Sequence, residues 1–337
     1  MYFFHLVLLP EDVEHIKAWL LHYYPTELAM EIIHFDASLV EGNVRVRGKR
    51  KELGSPLNFA RFWLPDLLPD ITQERILYLD DDTLVRGNLR EMRDLTLQPG
   101  HVAAFVPDTV NKMKMFLNFD NPKVVGTRIK KNAMAFNAGV FLADMQEWRR
   151  QAITPKLLFW SRLNVEEDVY GARGGGGASQ PPMLIAFDKV SSALPERWHM
   201  RHFGWKKAQT YTTEDVRGGK LLHFNGGDKP WVHRSKWFLL WYKYFLEDPS
   251  GEWDIRPDAR ESAQVEIEAV VNGQLDRALT AMSDAKRSVH KHHIITPARP
   301  GRIANPNAFL DSIYEKTLLR TLHDSIAERV LEERGLG

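Results

Sequence analysis

Arg75-Ile76-Leu77-Tyr78-Leu79 reads as a short buried strand that runs straight into Asp80-Asp81-Asp82. Side chains two apart along an extended chain point the same way, so Asp80 and Asp82 can face one ion while Asp81 points elsewhere. Adjacent negative charges at a strand end repel each other unless a cation compensates them. Hard carboxylate oxygens suit Mg²⁺ or Mn²⁺, and Mg²⁺ often bridges to substrate phosphates. Acidic residues after a strand also make turns and cap helices, and this stretch alone leaves that alternative open.

A second group follows far downstream in Leu221-Leu222-His223-Phe224-Asn225-Gly226-Gly227-Asp228-Lys229-Pro230-Trp231. A strand delivers a His, a glycine turn follows, and a Lys precedes Pro-Trp. Imidazole is a common ligand of transition metals, and a neutral third ligand beside two carboxylates favours Mn²⁺ over Mg²⁺. The Lys can neutralise a phosphate. Read alone, His223 more often has a hydrogen-bonded structural role. In Phe136-Asn137-Ala138-Gly139-Val140-Phe141-Leu142 a polar Asn and a Gly open an apolar run, where a sugar hydroxyl could approach the backbone or a simple turn could form. Haloacid-dehalogenase phosphatases carry Asp-x-Asp-x-Thr after a strand. Here Thr83 follows Asp82 directly and Leu84 stands where that motif places Thr, so the register disfavours a phosphoaspartate enzyme.

These groups need elements to hold them. Apolar runs at Phe4–Leu9, Met30–Phe35, Arg75–Leu79, Val102–Val106, Phe136–Leu142, Met183–Phe187 and Leu221–Phe224 read as strands of a sheet covered on both faces. Asp12–Tyr23 and Leu57–Leu67 have helical spacing, the second ending before Pro69. Strands alternating with helices predict an α/β domain with a mixed, mainly parallel central sheet flanked by helices, and ligands of such sheets bind at carboxyl ends of strands. Past Asp248 the character changes. Glu261–Arg287 and Asn307–Arg334 are charged and helix-prone, with an apolar stripe at Leu319, Leu322, Ile326 and Val330. The division is therefore a domain over 1–250 and a helical, partly disordered extension over 251–337.

Composition narrows the classes. The 337 residues are 44% hydrophobic and 26% charged, as in a folded globular protein. Lys and Arg total 45 against 44 Asp and Glu, which argues against a nucleic-acid binder. There is no Cys, which removes disulfides, thiolate metal sites and a Cys nucleophile. No apolar run approaches the roughly 20 residues of a membrane span. The apolar start lacks a basic leader and a small-residue cleavage site, so it reads as a strand. Gly171–Ser179 reads as a mobile loop without the Lys-Ser/Thr ending of a phosphate-binding P-loop. The basic cluster of Arg45, Arg47, Lys49, Arg50 and Lys51 and the tract His290-Lys291-His292-His293 read as solvated surface. Trp198, Trp205, Trp231, Trp237 and Trp241 suit either a core or stacking on a glycan.

The three blocks, in this order, resemble glycosyltransferase family 8. The likeness rests on Leu57-Asn58-Phe59-Ala60-Arg61-Phe62 through Asp80-Asp81-Asp82, on Asn137-Ala138-Gly139-Val140 with Glu147-Trp148-Arg149, and on His223-Phe224-Asn225-Gly226 with Lys229-Pro230-Trp231. Thr96–His101 and Leu163–Glu167 resemble the family's animal glycosyltransferase 8 domain-containing branch. The resemblance implies a GT-A-like fold over about residues 1–250, a UDP-sugar donor, a glycan or protein acceptor, Mn²⁺ with Mg²⁺ as substitute, hexosyl transfer with retention, and the Golgi lumen. It implies that Asp80, Asp82 and His223 bind the metal, and that Arg61, Asp81, Asn137, Gly226 and Lys229 contact the donor. Gln180 falls where some members place a Gln beneath the anomeric carbon. Under the same likeness Phe4–Leu9 matches the family's second strand, so the strand carrying uridine-gripping residues, and any membrane anchor before it, are expected to be missing here. That expectation supplies a rival reading, a non-catalytic binding or scaffold protein derived from such an enzyme.

Overall fold

The computed structural model describes residues 2–24, 29–46, 51–71, 75–170, 178–205, 211–232 and 237–255. Arg47, Lys49 and Arg50 of the basic cluster, most of the glycine loop, the His tract and the helices expected past residue 255 lie outside the described residues.

The chain opens with β1 (Phe4–Leu8), α1 (Val13–Tyr23) and β2 (Met30–His34). β1 and β2 pair in parallel from Phe4 opposite Met30 to Leu8 opposite His34, so α1 is the crossover that a parallel pair requires. Next come α2 (Leu57–Ala60), a 3₁₀ turn over Arg61–Trp63, and α3 (Leu64–Leu67). The single helix expected over this span is interrupted because Pro65 has no N–H to give to the Arg61 carbonyl. β3 (Arg75–Leu79) and β4 (Thr83–Val85) flank the carboxylate turn. They are followed by α4 (Arg90–Arg93), β5 (Ala103–Phe105), β6 (Pro107–Lys112), α5 (Pro122–Gly126), β7 (Met134–Phe136) and β8 (Val140–Asp144). α6 (Met145–Arg150), α7 (Ile153–Glu166), α8 (Gln180–Ala186), β9 (Ser191–Ala193), α9 (Thr213–Gly218), β10 (Leu221–His223) and α10 (Phe238–Tyr242) complete the described elements.

The chain separates into two compact units. The first comprises Met1–Met200, Lys220–Leu222 and Asp248–Ser250; the second comprises Arg201–Gly219, His223–Glu247 and Gly251–Gly337.

The first unit holds a four-stranded sheet in the order β3-β8-β5-β9. Its two faces sort residues by alternation. Ala103, Phe105, Phe141 and Ala143, with Ile76 and Tyr78, enter one core together with Phe59, Phe62 and Trp148. Ala104, Val106, Val140 and Leu142, with Leu77 and Leu79, enter a second core with Met92 and Trp198. A sheet buried on both faces explains why its strands read as continuous apolar runs. In the second unit, α9 starts on a capping box in which Thr212 and Asp215 satisfy each other's backbone N–H groups. Phe203 there packs against Phe224 at 5.6 Å and Trp237 at 6.1 Å between ring centroids.

Three expectations are corrected. The sheet is mixed but not mainly parallel: β8 runs antiparallel to both β3 and β5, and β9 alone pairs in parallel there. Phe136–Leu142 is not one strand, because the Asn137 side chain accepts a hydrogen bond from Gly139 N at 2.8 Å and turns the chain between β7 and β8. Met183–Phe187 is not a strand: Met183–Ala186 are helical in α8, and Phe187 is the residue that caps it. Pro181 and Pro182 occupy the first turn of α8, where a missing N–H costs nothing. Pro181 to Ala186 are all buried, which erases the polar face that marks a helix in sequence.

Candidate active site

β3 carries the chain to its carboxylates, and the ladder continues one step further, with Asp80 N donating to Gly139 O at 2.7 Å. Thr83 Oγ1 donates to the Asp80 carbonyl at 2.8 Å and closes the turn into β4. Within that turn Asp81 is exposed and Asp82 buried.

Arg61 organises this end of the sheet. Its side chain is only 5% exposed. Nη2 donates to Asp80 Oδ1 at 2.7 Å, Nη1 to Ala138 O at 2.7 Å and Nε to Asn58 O at 3.2 Å. The guanidinium lies over the Tyr78 ring, 4.7 Å from its centroid. Burial opposes the charge on Arg61, yet Asp80, Tyr78 and Asp82 outweigh it and raise the pKa above its ordinary value. Tyr78 stacks on Phe141 at 4.9 Å and donates its hydroxyl to Asp80 Oδ1 at 3.2 Å. Burial pushes the Tyr78 phenol upward, with Arg61 opposing and the Asp80 and Asp81 carboxylates adding to the rise.

Asn137 therefore lies in a turn locked to Asp80 twice, through Gly139 O and through Arg61 on Ala138 O. Gln180 is the first residue of α8. Its neighbour Ser179 donates to Asn58 Oδ1 at 3.2 Å, and Arg61 Nη2 donates to the same oxygen at 3.3 Å. A continuous hydrogen-bond path thus runs from the start of α8 to Asp80.

His223 ends β10, the strand that pairs with β4, and is 2% exposed. Asp80, Asp82 and His223 each offer one ligand atom, and these atoms lie within 4.8 Å of one another. Two carboxylate oxygens and one imidazole nitrogen form a donor set that fits Mn²⁺, with Mg²⁺ as the harder substitute.

In the second unit, Asn225 Oδ1 accepts from His202 N at 2.6 Å, Gly226 has φ +120°, and Asp228 N donates to Gly204 O at 2.8 Å. Lys229 Nζ donates to Phe224 O at 3.1 Å and lies 5.8 Å from the Trp231 ring centroid. Of the five tryptophans singled out, Trp198 and Trp237 are core residues, Trp231 and Trp241 are half-buried, and Trp205 is exposed.

Sequence reasoning missed Tyr78, Asn58 and Ser179. Tyr78 had a signal, since it stands two residues before Asp80 and shares its side of the strand. Asn58 had only its place in the Leu57–Phe62 block, and Ser179, 121 residues away, had none.

A mixed sheet flanked by helices, with carboxylates and an imidazole gathered where strands end, defines a GT-A glycosyltransferase fold. Its solved relatives agree. The apo structure of the bifunctional glycosyltransferase WbbM superposes with TM-score 0.51 at 16% identity, covering 70% of this chain and 42% of that one. An active-site mutant of LgtC superposes with TM-score 0.50 at 15% identity, covering 75% of this chain and 100% of that one. The profile of Glycosyl transferase family 8 matches residues 4–235, and the chain belongs to that family. Glycosyltransferase 8 domain-containing protein 1 of Xenopus laevis is 35% identical over 266 residues, which is 75% of this chain and 72% of the relative. Glycosyltransferase 8 domain-containing protein 2 of Homo sapiens is 36% identical over 262 residues, 74% of each chain. Membership makes the protein a glycosyltransferase, with a nucleotide-sugar donor and an acceptor. Among the described residues no helix is long and apolar enough to cross a membrane.

Proposed function

We propose that this chain is a hexosyltransferase that moves a sugar from a UDP donor to a glycan or protein acceptor with retention of configuration. The observation that carries the reading is the grouping of Asp80, Asp82 and His223. These residues would hold Mn²⁺, whose chemistry is to neutralise negative charge on a leaving diphosphate.

The remaining residues act around that centre. Arg61 holds Asp80 and the Ala138 carbonyl in place, so it reaches the donor from behind. Asn137 and exposed Asp81 are assigned to the donor sugar, Gly226 and Lys229 to the diphosphate, and Gln180 to the side of the anomeric carbon. Lys229 supplies a fixed positive charge where negative charge grows during bond breaking. As that bond breaks the anomeric carbon becomes cationic, as in glycoside cleavage. Family likeness favours a front-face return, in which the departing phosphate takes the acceptor proton. On the same likeness we take residues 1–250 as the catalytic domain, 251–337 as an appended segment, and the Golgi lumen as the site of action.

Isothermal titration of UDP with and without Mn²⁺ tests the reading, followed by a screen of UDP-sugars for UDP release. Metal-dependent UDP binding is expected. Binding that ignores Mn²⁺, or no binding at all, overturns the proposal.

A further inference from the structure

Two turns of the second unit meet with backbone against backbone. One is His202–Trp205 and the other Phe224–Asp228. His202 N reaches Asn225 Oδ1, Phe203 N reaches His223 O at 3.2 Å, and Asp228 N reaches Gly204 O at 2.8 Å. No side chain fits between them. A Cβ on Gly204 would lie 2.5 Å from the Phe224 carbonyl oxygen, and one on Gly226 would lie 2.5 Å from the Gly204 carbonyl oxygen.

The contact carries two unusual backbone conformations. His202 has φ +72° and Gly226 has φ +120°. A non-glycine residue with positive φ is strained and persists only where its surroundings hold it. Here the kink at His202 delivers Trp205, whose indole lies 4.9 Å from the His202 ring. The indole rests directly on Gly226: a Cβ there would be 2.1 Å from Trp205 Cδ1 and 2.6 Å from Nε1. Yet Trp205 is 42% exposed. A large ring left partly in solvent is not placed by core burial. Its Cδ1–Nε1 edge packs against the Gly226 backbone.

We propose that Trp205 is a positioning residue of the phosphate-side turn, acting through Gly226 to hold the Gly226–Lys229 backbone in its donor-binding conformation. This rests on the assignment of Gly226 and Lys229 to the donor diphosphate. Trp205 then pre-organises the turn, so a bound diphosphate does not have to order it. The ring surface does this work and the indole N–H does not, so Phe substitutes for Trp while Ala fails.

The full-length chain is compared with Trp205→Ala and Trp205→Phe in two measurements. The first is titration with UDP in Mn²⁺. Trp205→Ala should weaken binding about ten- to a hundredfold, the cost of a misplaced contact, and Trp205→Phe should stay within about twofold of wild type. The second is amide hydrogen exchange of the peptide spanning 224–229 without ligand. Trp205→Ala should exchange faster there, with protection elsewhere and melting temperature unchanged, and Trp205→Phe should match wild type. Unchanged UDP affinity and unchanged exchange in Trp205→Ala overturn the proposal, as does a Phe variant as defective as Ala. If wild type fails to bind UDP with Mn²⁺, the functional reading falls, and the exchange comparison still decides whether the indole holds the turn.

Discussion

At one place in the first unit, His15 of α1 meets Asp248, whose side chain is wholly buried. The His15 ring nitrogen lies 2.7 Å from Asp248 Oδ2, while Ser250 N and Ser250 Oγ donate to Oδ1 at 2.9 and 2.8 Å. At the strand ends, by contrast, two carboxylates and an imidazole offer ligand atoms within 4.8 Å of one another. The residue types are nearly the same. In the first case an imidazole, a backbone N–H and a hydroxyl meet one carboxylate. In the second, two carboxylates share a site, and Arg61, paired with Asp80 at 2.7 Å, offsets part of their repulsion. Histidine beside aspartate is therefore common to both places, and the second carboxylate is what distinguishes the proposed metal site.

The sharpest way to break this comparison is Asp82→Ala. It removes a ligand and a repelling charge together, so turnover should fall about a hundred- to a thousandfold, the usual loss when one charge-stabilising group goes. The melting temperature without metal should stay level or rise. Wild type in Mn²⁺ at about a hundred times its Kd should gain about 2.7 kcal/mol of stability, and Asp82→Ala should gain none. A variant that keeps both turnover and the Mn²⁺ response sinks the metal assignment.

Asp248→Asn is the complementary change. It should cost about 1–3 kcal/mol in urea unfolding, because buried donors lose their charged acceptor. Its Mn²⁺ response should equal that of wild type. An altered metal response with unaltered stability would erase the distinction between the two clusters.

The smallest effect concerns Tyr78, whose phenol is pushed above its ordinary 10.0 by burial, Asp80 and Asp81 against the opposing Arg61. A raised phenol pKa means that the native state holds the proton more tightly than the unfolded chain. That stability is present in full below pH 10 and is lost as pH climbs through the raised native value. Urea midpoints measured from pH 9 upward should therefore fall more steeply in wild type than in Tyr78→Phe, by up to about 1.4 kcal/mol per pH unit for one proton. Parallel slopes would show that Tyr78 titrates as it does in the unfolded chain.

Much of this architecture was legible in advance, and the reasons are local. β3 matches its expected bounds at Arg75–Leu79, and α1 begins one residue past the expected Asp12. Both carry strong signals of short range: a continuous apolar run ended by charge, and apolar positions at helical spacing. The α8 segment failed because a helix buried all round has no periodicity to read. Asn137 and Gly139 signal the turn that the structure shows, while the apolar residues on either side of it also read as one strand.

The chain's own order of residues put an acidic triplet at the end of an apolar strand. β3 ends at Leu79 and Asp80 extends its ladder by one hydrogen bond, so strand alternation reaches Asp80, while Asp81 and Asp82 lie in the turn beyond it. Tertiary structure alone decided how Asp80 is held. Arg61 lies 19 residues from it and bonds Ala138 at a separation of 77, and Ser179 reaches Asn58 across 121. Hydrogen bonds between such distant positions depend on two elements docking at one angle, and that angle is set by the packing of the cores between them, which no short window of sequence contains.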